Sequence, residues 1–413
     1  MKLFGVLAGI VLLGFGLFFI FGSSKNLTIE PKENSQGDLN LTLLRVPEPP
    51  PPTSTPPSPP AAVDIPNQLP LQDPPSVVKG IYATSWSAGS ENKIKYLLDL
   101  IDKTELNAIV IDIKDYSGYV AYRTGIPEVK AAGAENQIRI AKPNALLKRL
   151  HDKNIYVIGR ISVFQDSILA KAHPKWALIS SSTGKLWEDR KGLSWMDPAA
   201  EPVWDYNISI AKDAFARGFD EVNFDYIRFP SDGDLNVIRY PFWDEKVPQS
   251  EIINDFFAYL DSKLKEGRIS ADLFGISTIK KDDLGIGQLI ENAYGRFDFV
   301  SPMIYPSHYS PGFFGYKNPA EHPFEIVTYS LQKALERLKA DEFKESTSSP
   351  RLSRLRPWLQ SFNLGATYDK SKIQSQIKAT EEVLFKSSSG LTSDFAGWLL
   401  WDPTNRYDEY QKL

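Results

Sequence analysis

Short apolar segments alternate with longer amphipathic segments over most of the chain. The apolar segments are rich in β-branched and aromatic residues, which is typical of strands, whereas the segments between them show the helical period. This alternation indicates repeated β/α units around a parallel sheet. Eight strands are predicted, at Val78–Thr84, Asn107–Ile113, Ile155–Ser162, Glu221–Ile227, Leu273–Thr278, Asp298–Tyr305, Pro357–Asn363 and Gly397–Asp402.

Eight parallel strands favour a closed barrel over an open sheet. An open, doubly wound sheet would be expected to bind a nucleotide through a glycine-rich turn after its first strand. The turn after the first predicted strand reads TSWSAGS and lacks that glycine pattern. The sequence therefore predicts an α/β fold, a (β/α)8 TIM barrel over residues 77–413 with insertions in its loops.

Two further segments precede the predicted barrel. An almost uncharged apolar run from Leu3 to Phe21 is long enough to cross a bilayer. It predicts a signal anchor over residues 1–24, with a cleaved signal peptide as the alternative because small residues follow the run. Residues 25–76 are polar and then proline-rich, which predicts a disordered linker. We therefore expect a barrel tethered to the membrane through the N-terminal helix, on the extracytoplasmic side, or secreted if the segment is cleaved.

Composition excludes several kinds of site. The chain has no cysteine, so it has neither disulfide bonds nor thiol chemistry. Its net charge of −4 provides no basic footprint for nucleic acid, so no nucleic-acid partner is expected. The four histidines show no metal-ligand spacing, and no G-x-S-x-G turn occurs. We therefore predict no metal site, no other cofactor and no serine nucleophile.

Polar side chains gather near the C-terminal ends of the predicted strands. In a β/α barrel these ends form the mouth, where such folds keep their chemistry. Alternate residues of a strand share a face, so polar residues of matching parity are expected to point together into the mouth. These residues are Tyr82, Thr84, Asp112, Lys114, Arg160, Ser162, Asn223, Asp225, Tyr305, Gln360, Trp401 and Asp402.

Asp225 is the first catalytic candidate. The segment EVNFDYIRFP places it where an apolar strand gives way to a loop, and a charge there is costly to bury unless it is paired or used. We predict that Asp225 is a nucleophile or base, kept ionised by Arg160 and Arg228. A purely structural salt bridge to one of these two arginines is the alternative.

The general acid is predicted to be Asp112 or, second in order, Asp402. Each has a structural alternative. Asp112 is also placed to pair with Lys114 or Arg160, and Asp402 precedes Pro403, where an aspartate commonly starts a turn. No glutamate stands at the C-terminal end of a predicted strand.

Aromatic residues around the mouth favour a carbohydrate cleft. Aromatic faces stack on the apolar faces of sugar rings, while carboxylates and amides bind sugar hydroxyls. The loop after the third strand is long and carries Trp195, and loops of that length are usually functional. The alternative is that its tryptophans pin the loop onto the barrel. The predicted substrate-binding residues are Tyr82, Trp86, Lys114, Asp115, Arg160, Trp195, Asn223, Arg228, Tyr305, His308, Gln360 and Trp401.

Several motifs occur in an order that resembles one known family. VKGIYAT, VIDIKDYSG, GFDEVNFDYIRFP and SPMIYPSHY follow one another, with a loop of HPKW, TGKLW and MDP after the second motif. Over residues 77–338, and also in the last two strands, the chain resembles a glycosyl hydrolase domain family of unknown function. The resemblance implies a (β/α)8 barrel and action on a polysaccharide. It marks Asp112, Lys114, Asp115, Asp225, Arg228 and Tyr305 without assigning their roles.

These observations predict a glycoside hydrolase that acts on an extracellular or cell-envelope polysaccharide or oligosaccharide by carboxylate acid/base chemistry. Many barrel glycosidases use a glutamate as the proton donor, and no glutamate stands at the C-terminal end of a predicted strand here. A non-catalytic, membrane-tethered carbohydrate-binding barrel is therefore the alternative. Replacing Asp225 by asparagine separates the two, since a hydrolase would lose turnover and keep its affinity for the glycan.

Overall fold

The fold is a closed parallel barrel. The computed structural model describes residues 63–341, 353–386 and 395–413. Each strand pairs in parallel with its neighbours along the chain, and the last strand pairs with the first, which closes the ring. The strands are β1 (Val78–Ala83), β2 (Ala108–Lys114), β3 (Tyr156–Ser162), β4 (Glu221–Asp225), β5 (Arg268–Phe274), β6 (Phe299–Ile304), β7 (Arg354–Leu355 and Trp358–Gln360) and β8 (Gly397–Trp401). The prediction of a (β/α)8 barrel is confirmed.

Amphipathic helices surround the barrel. In α2, for example, Ile94, Leu97 and Ile101 recur at the helical period and are buried. The long α6 ends at Gly218, whose positive φ of 103° suits a left-handed C-cap. The helices are α1 (Ser85–Ala88), α2 (Glu91–Asp102), α3 (Pro127–Ala131), α4 (Pro143–His151), α5 (Ser167–Ala172), α6 (Glu201–Arg217), α7 (Gln249–Lys263), α8 (Ile290–Ala293), α9 (Pro323–Asp341) and α10 (Lys370–Lys386).

The inside of the barrel is packed below the mouth. Strand residues that point inward form their own buried cluster, separate from the larger core between strands and helices. At the base, Glu221 and Arg356 form a fully buried ion pair, and the Tyr156 hydroxyl donates to Glu221 at 3.2 Å. These side chains therefore fill the barrel at its base. The inner cluster comprises Val78, Tyr82, Ala108, Val110, Tyr156, Ile158, Tyr305, Trp358 and Leu399.

The fifth strand differs from its predicted position. It was expected at Leu273–Thr278, but β5 spans Arg268–Phe274, and Gly275–Thr278 forms a 3₁₀ turn. At Gly275 the chain passes so close to β6 that a Cβ atom would lie 2.3 Å from the carbonyl oxygen of Met303. The shift moves Asp272 from outside the predicted strand to the C-terminal end of the real one.

The segment just before the predicted boundary at residue 77 contacts the barrel. Residues 63–76, predicted as the end of the linker, lie against the barrel. The Asp64 carboxylate accepts from the backbone N–H of Asn144 at 2.8 Å, at the start of α4. The backbone N–H of Leu71 donates to Asp220 at 2.6 Å, and the Leu71 side chain packs against the inner cluster. The predicted signal anchor and the linker up to residue 62 lie outside the described residues.

No helix within residues 63–341, 353–386 and 395–413 combines the length and the apolar character needed to cross a bilayer.

Candidate active site at the barrel mouth

Arg160 lies at the centre of the mouth and contacts three carboxyl groups from three other strands. Its Nη1 lies 2.6 Å from Asp112 of β2, its Nη2 donates to Asp225 of β4, and its Nε lies 3.6 Å from Asp272 of β5. All four side chains are buried. Burial alone would lower the pKa of Arg160, but Asp225 and Asp112 raise it well above its usual value. Arg160 therefore stays positively charged.

Asp225 is the last residue of β4, which ends before the predicted Ile227, so the carboxylate lies where the strand gives way to a loop. Its Oδ2 forms the ion pair with Arg160, and its Oδ1 accepts from the backbone N–H of Tyr226 at 2.5 Å. Tyr226 has a φ of 53°, which is costly for a residue with a side chain and is often found beside functional groups. This sharp turn leads the chain away immediately after the carboxylate. Of the two arginines proposed as its partner, the structure pairs Asp225 with Arg160.

Asp272 is a buried carboxyl group that the sequence did not identify. Its Oδ1 accepts from Asn223 Nδ2 and from Trp358 Nε1, each at 2.8 Å. Burial raises the pKa of Asp272 to about 8, and the neighbouring Asp225 carboxylate contributes to the rise. Its surroundings therefore favour the protonated form of Asp272. The predicted strand began one residue after Asp272, so Asp272 was not among the polar residues expected on the inward face of a strand.

Asp225 and Asp272 lie on adjacent strands in matching register. Asn223 pairs with Ser270 and Phe224 with Ala271, so the next position brings the two aspartates side by side. Neighbouring strands are about 4.8 Å apart. Two carboxyl groups on neighbouring strand positions cannot both ionise cheaply, which further favours the protonated form of Asp272. An ionised carboxylate beside a protonated one is the arrangement that acid/base chemistry needs.

Asp112 forms one side of this cluster. It accepts from the Tyr82 hydroxyl and from Arg160, while burial raises its pKa and Arg160 opposes the rise. The ring of Tyr82 stacks on Trp401 with centroids 3.8 Å apart. The Arg160 guanidinium lies 5.1 Å from the Trp401 ring centroid. Tyr82 and Trp401 therefore form an aromatic wall beside the carboxyl groups, and Trp401 remains partly exposed.

Tyr305 and His308 lie next to each other after β6. The Tyr305 hydroxyl is buried and has no hydrogen-bond partner within the described part of the chain. Burial raises the pKa of Tyr305 well above its usual value, and Asp272 and Asp225 raise it further. An unpartnered buried hydroxyl costs free energy unless a ligand or water completes it. His308 is exposed, and its ring centroid lies 5.4 Å from that of Tyr305.

Lys114 does not lie in the mouth, contrary to the prediction that it shares a face with Asp112. The register of β2 against β3 shifts between these two residues. The shift turns Lys114 outward, where it is fully buried and forms an ion pair with Asp166 at 2.7 Å. Its Nζ also donates to Asn207 of α6 at 2.9 Å. A bulge of this kind breaks the strict alternation on which the prediction depended.

Three more predicted residues make contacts that hold loops in place. Asp402 accepts from the backbone N–H of Thr404 at 2.7 Å, which matches the turn that was its structural alternative. Gln360 is fully buried, and its amide oxygen accepts from the backbone N–H of Ser307 at 3.1 Å. Trp195 is also buried, and its indole N–H donates to Asp189 at 3.1 Å.

An exposed aromatic platform stands on the rim beyond β1 and β2. The Trp86 side chain is 58% exposed, and the Arg139 guanidinium lies 4.8 Å from its ring centroid. Arg139 in turn forms an ion pair with Asp115 and donates to Ser85 at 2.9 Å. The sequence identified Trp86 and Asp115 but missed Arg139, because no local pattern shows which cation meets a given carboxylate.

Arg228 lies on the opposite side of the mouth, in an aromatic enclosure. Its guanidinium carbon lies 4.9 Å from the Trp195 ring centroid, 5.3 Å from that of Tyr226 and 4.7 Å from that of Phe274. It is only 8% exposed and makes no ion pair with any described residue. Asp225 therefore does not form the predicted contact with Arg228.

No group of three or more histidine, aspartate or glutamate side chains is arranged to bind a metal ion in the part of the chain that the structure describes.

Comparisons with known proteins bear on the family and the fold. A family model described as "Putative glycosyl hydrolase domain" matches residues 80–407, which confirms the resemblance and the prediction of a glycosidase. A hypothetical protein from Ruminiclostridium thermocellum is 38% identical, with 50% of this chain and 98% of that chain covered and a TM-score of 0.43. The glycoside hydrolase domain of PgaB (BpsB) from Bordetella bronchiseptica is 13% identical, with 79% and 94% covered and a TM-score of 0.54, which supports the fold alone. No curated protein is similar enough to count as a relative. Because the family match spans nearly the whole barrel, the chain belongs to this glycosyl hydrolase domain family.

Proposed function

We propose that the protein hydrolyses a polysaccharide at the barrel mouth, with Asp225 as the nucleophile and Asp272 as the general acid. The observation that carries the proposal is the pair itself, with one carboxylate bound to Arg160 and a protonated neighbour on the adjacent strand. Asp272 takes the role that was predicted for Asp112 or Asp402. Asp112 is occupied by Tyr82 and Arg160, and Asp402 is engaged in its own turn.

The chemistry follows from the two protonation states. Asp272 donates its proton to the glycosidic oxygen as the bond from that oxygen to the anomeric carbon breaks, and Asp225 attacks the same carbon. The resulting glycosyl–Asp225 ester is then hydrolysed by a water molecule that gives its proton to the Asp272 carboxylate. Both residues return to their starting states. Carboxyl groups about 5 to 5.5 Å apart are typical of this retaining route, and adjacent strands favour such a short separation.

Residues around the pair would bind and orient the sugar. Arg160 holds the Asp225 carboxylate, and its position is fixed from the other side by Asp112. The partly exposed Trp401 provides an aromatic face beside the pair. The unpartnered Tyr305 hydroxyl would donate to a sugar oxygen, which would remove the cost of its burial. Farther out, Trp86 is exposed enough to stack on a second sugar ring.

The direct test is turnover of polysaccharides by the full-length protein. Reducing ends would be measured on a panel of cell-envelope and extracellular polysaccharides for the wild type, Asp225→Asn and Asp272→Asn. Asp99→Asn, which changes an exposed aspartate on α2, is the matched control. We expect both site variants to lose turnover by at least about 100-fold, since acid/base groups contribute factors of that size, and to retain glycan binding. Binding by the wild type without turnover on any polymer would instead support the non-catalytic barrel.

The location is part of the same proposal. The apolar run from Leu3 to Phe21 is long enough to anchor the chain, and a proline-rich spacer follows it. A reporter enzyme that folds only outside the cytoplasm, fused after Leu413, is expected to be active. An inactive reporter would place the barrel inside the cell and contradict this part of the proposal.

A further inference from the structure

Arg228 is a buried cation whose charge no neighbouring side chain neutralises directly. Three aromatic rings surround its guanidinium, and it forms no ion pair within residues 63–341, 353–386 and 395–413. Burying an unpaired charge is expensive, and cation–π contacts recover only part of the cost. A buried arginine without an ion-pair partner is retained where a ligand supplies the negative charge, or where its positive charge acts on nearby titratable groups.

The guanidinium also has unused hydrogen-bond donors. Its Nη1 donates to the carbonyl oxygen of Phe229 and to the hydroxyl of Ser231, both at 3.1 Å. These are the hydrogen bonds that Arg228 makes with the described residues, although a guanidinium carries five N–H groups. Nη2 and Nε therefore retain donors in the parallel arrangement that fits the two oxygens of a carboxylate.

Nearby carboxylates are already engaged elsewhere. Asp225 is paired with Arg160. Asp189 accepts from the indole N–H of Trp195 at 3.1 Å and from Gln165 at 2.7 Å. Asp232 accepts from the backbone N–H of Arg190 at 3.2 Å. These carboxylates interact with Arg228 by longer-range electrostatics and form no ion pair with it. The Nη2 and Nε side of the guanidinium is therefore left without a carboxylate partner among the described residues.

Arg228 lies beside the C-terminal ends of β4 and β5, the strands that carry Asp225 and Asp272. Arg228 is the third residue after Asp225, in the loop that follows β4. Its guanidinium lies against the ring of Phe274, the last residue of β5. It therefore stands between the ends of the two strands that carry the reacting carboxyl groups. Asp112, Asp225 and Arg160 together carry one net negative charge when Asp272 is protonated, and Arg228 offsets it. A negatively charged sugar can consequently approach without net repulsion.

We propose that Arg228 is the subsite for the carboxylate of a uronic acid residue next to the cleaved bond, so that the substrate is an anionic polysaccharide. The inference rests on the proposed function, because the subsite is defined relative to Asp225 and Asp272. A bidentate contact with a carboxylate would provide the charge that Arg228 lacks and would fix the orientation of the sugar.

Binding is measured with Asp225→Asn, so that the polymer is not consumed. The full-length variant would be titrated with polygalacturonate, alginate and hyaluronan, and with each polymer after chemical reduction of its carboxyl groups. We expect at least one acidic polymer to bind about tenfold or more tightly than its reduced form, as for a lost charged partner. Adding Arg228→Gln should abolish this difference. Arg149→Gln, at a solvent-accessible arginine in the last turn of α4 on the outside of the barrel, is the matched control and should leave the difference unchanged.

Several results would overturn the proposal. One is equal binding of the acidic and reduced forms of all three polymers, and another is a preference for the acidic form that persists in Arg228→Gln. If Arg228→Gln lowers the melting temperature sharply, Arg228→Lys is used instead. It keeps the charge but not the paired donors, so a preference that survives in full contradicts bidentate recognition.

The experiment separates this inference from the proposed function. Binding that depends on Arg228 without turnover by the wild type would refute the hydrolase and leave the subsite standing. Turnover of neutral and acidic polymers with equal efficiency by the wild type would refute the subsite and leave the hydrolase standing. If Arg228→Gln shifts the pH profile and slows both polymers equally, Arg228 acts only through its field on Asp225, and the subsite is refuted.

Discussion

Replacing Asp272 by asparagine should abolish turnover and yet stabilise the protein at neutral and higher pH. Asparagine has nearly the same shape, and its side-chain oxygen can still accept from Asn223 and Trp358. It cannot donate an acidic proton to a leaving group. The variant therefore removes the proposed acid while keeping the packing around it.

The size of the stabilisation follows from the titration of Asp272. Its pKa rises from an ordinary value of 3.8 to about 8 in the folded protein. The folded chain therefore binds this proton more tightly than the unfolded chain, and the wild type loses stability as the pH rises from about 4 to about 8. At about 1.4 kcal/mol per unit, the loss is at most about 6 kcal/mol. We expect a loss of a few kcal/mol, because a buried carboxyl group that interacts with charged neighbours does not titrate independently of them.

Urea denaturation of the wild type and Asp272→Asn at several pH values tests this argument. The free energies of unfolding should be similar near pH 4, and the difference in favour of the variant should grow until about pH 8 and then stay constant. The wild-type rate should fall above about pH 8 as the acid is deprotonated. A difference in stability that does not change with pH would refute the assigned protonation state. Turnover by the asparagine variant at the wild-type rate would refute the role of Asp272.

The other predictions concern the residues around the pair. NMR of the first product should show the anomeric configuration of the substrate, and inversion would contradict Asp225 as the nucleophile. Arg160→Met should lower the free energy of unfolding by about 3–5 kcal/mol, because it leaves buried carboxylates without their cation; an unchanged denaturation midpoint would contradict this. Tyr305→Phe should weaken substrate binding without loss of stability, whereas Tyr309→Phe, which removes a hydroxyl bonded to Ser330 at 2.8 Å, should cost about 1 kcal/mol of stability without affecting binding. Trp86→Ala should lower polymer affinity about tenfold and leave the melting temperature unchanged, since stacking by an exposed ring is worth about 1 kcal/mol or more; unchanged affinity would exclude Trp86 from the binding surface.

The sequence predicted the barrel because its strands are buried on both faces and therefore read as compact apolar runs. It misplaced β5 because the real strand, RISADLF, interrupts the apolar run with Ser270 and Asp272. Both point inward, where Ser270 accepts from Asn223 and donates to Glu221. Apolar character therefore does not mark a strand whose inward face carries polar side chains.

The position of Asp225 was predictable, but the arrangement of its partners was not. Strand parity placed Asp112, Arg160 and Asp225 on inward faces, and the structure brings all three together. The same parity failed at Lys114, because one bulge reverses the alternation without a signal in the sequence. The pairing of one arginine with three carboxyl groups depends on the closure of the barrel, which no local window of sequence contains.

The lack of a glutamate at a strand end was the main reason from the sequence to doubt catalysis. The structure offers a buried aspartate, Asp272, as an alternative proton donor. A general acid requires a carboxyl group whose pKa lies near or above the working pH, and burial beside another carboxylate provides this for aspartate as well as for glutamate. Asp272 meets both conditions, since it is almost fully buried and lies next to Asp225. A barrel that needed these groups only for stability would do better with apolar side chains of similar size, because buried ion pairs seldom repay their desolvation. The retention of three carboxyl groups around one arginine at the mouth is therefore consistent with the proposed reaction.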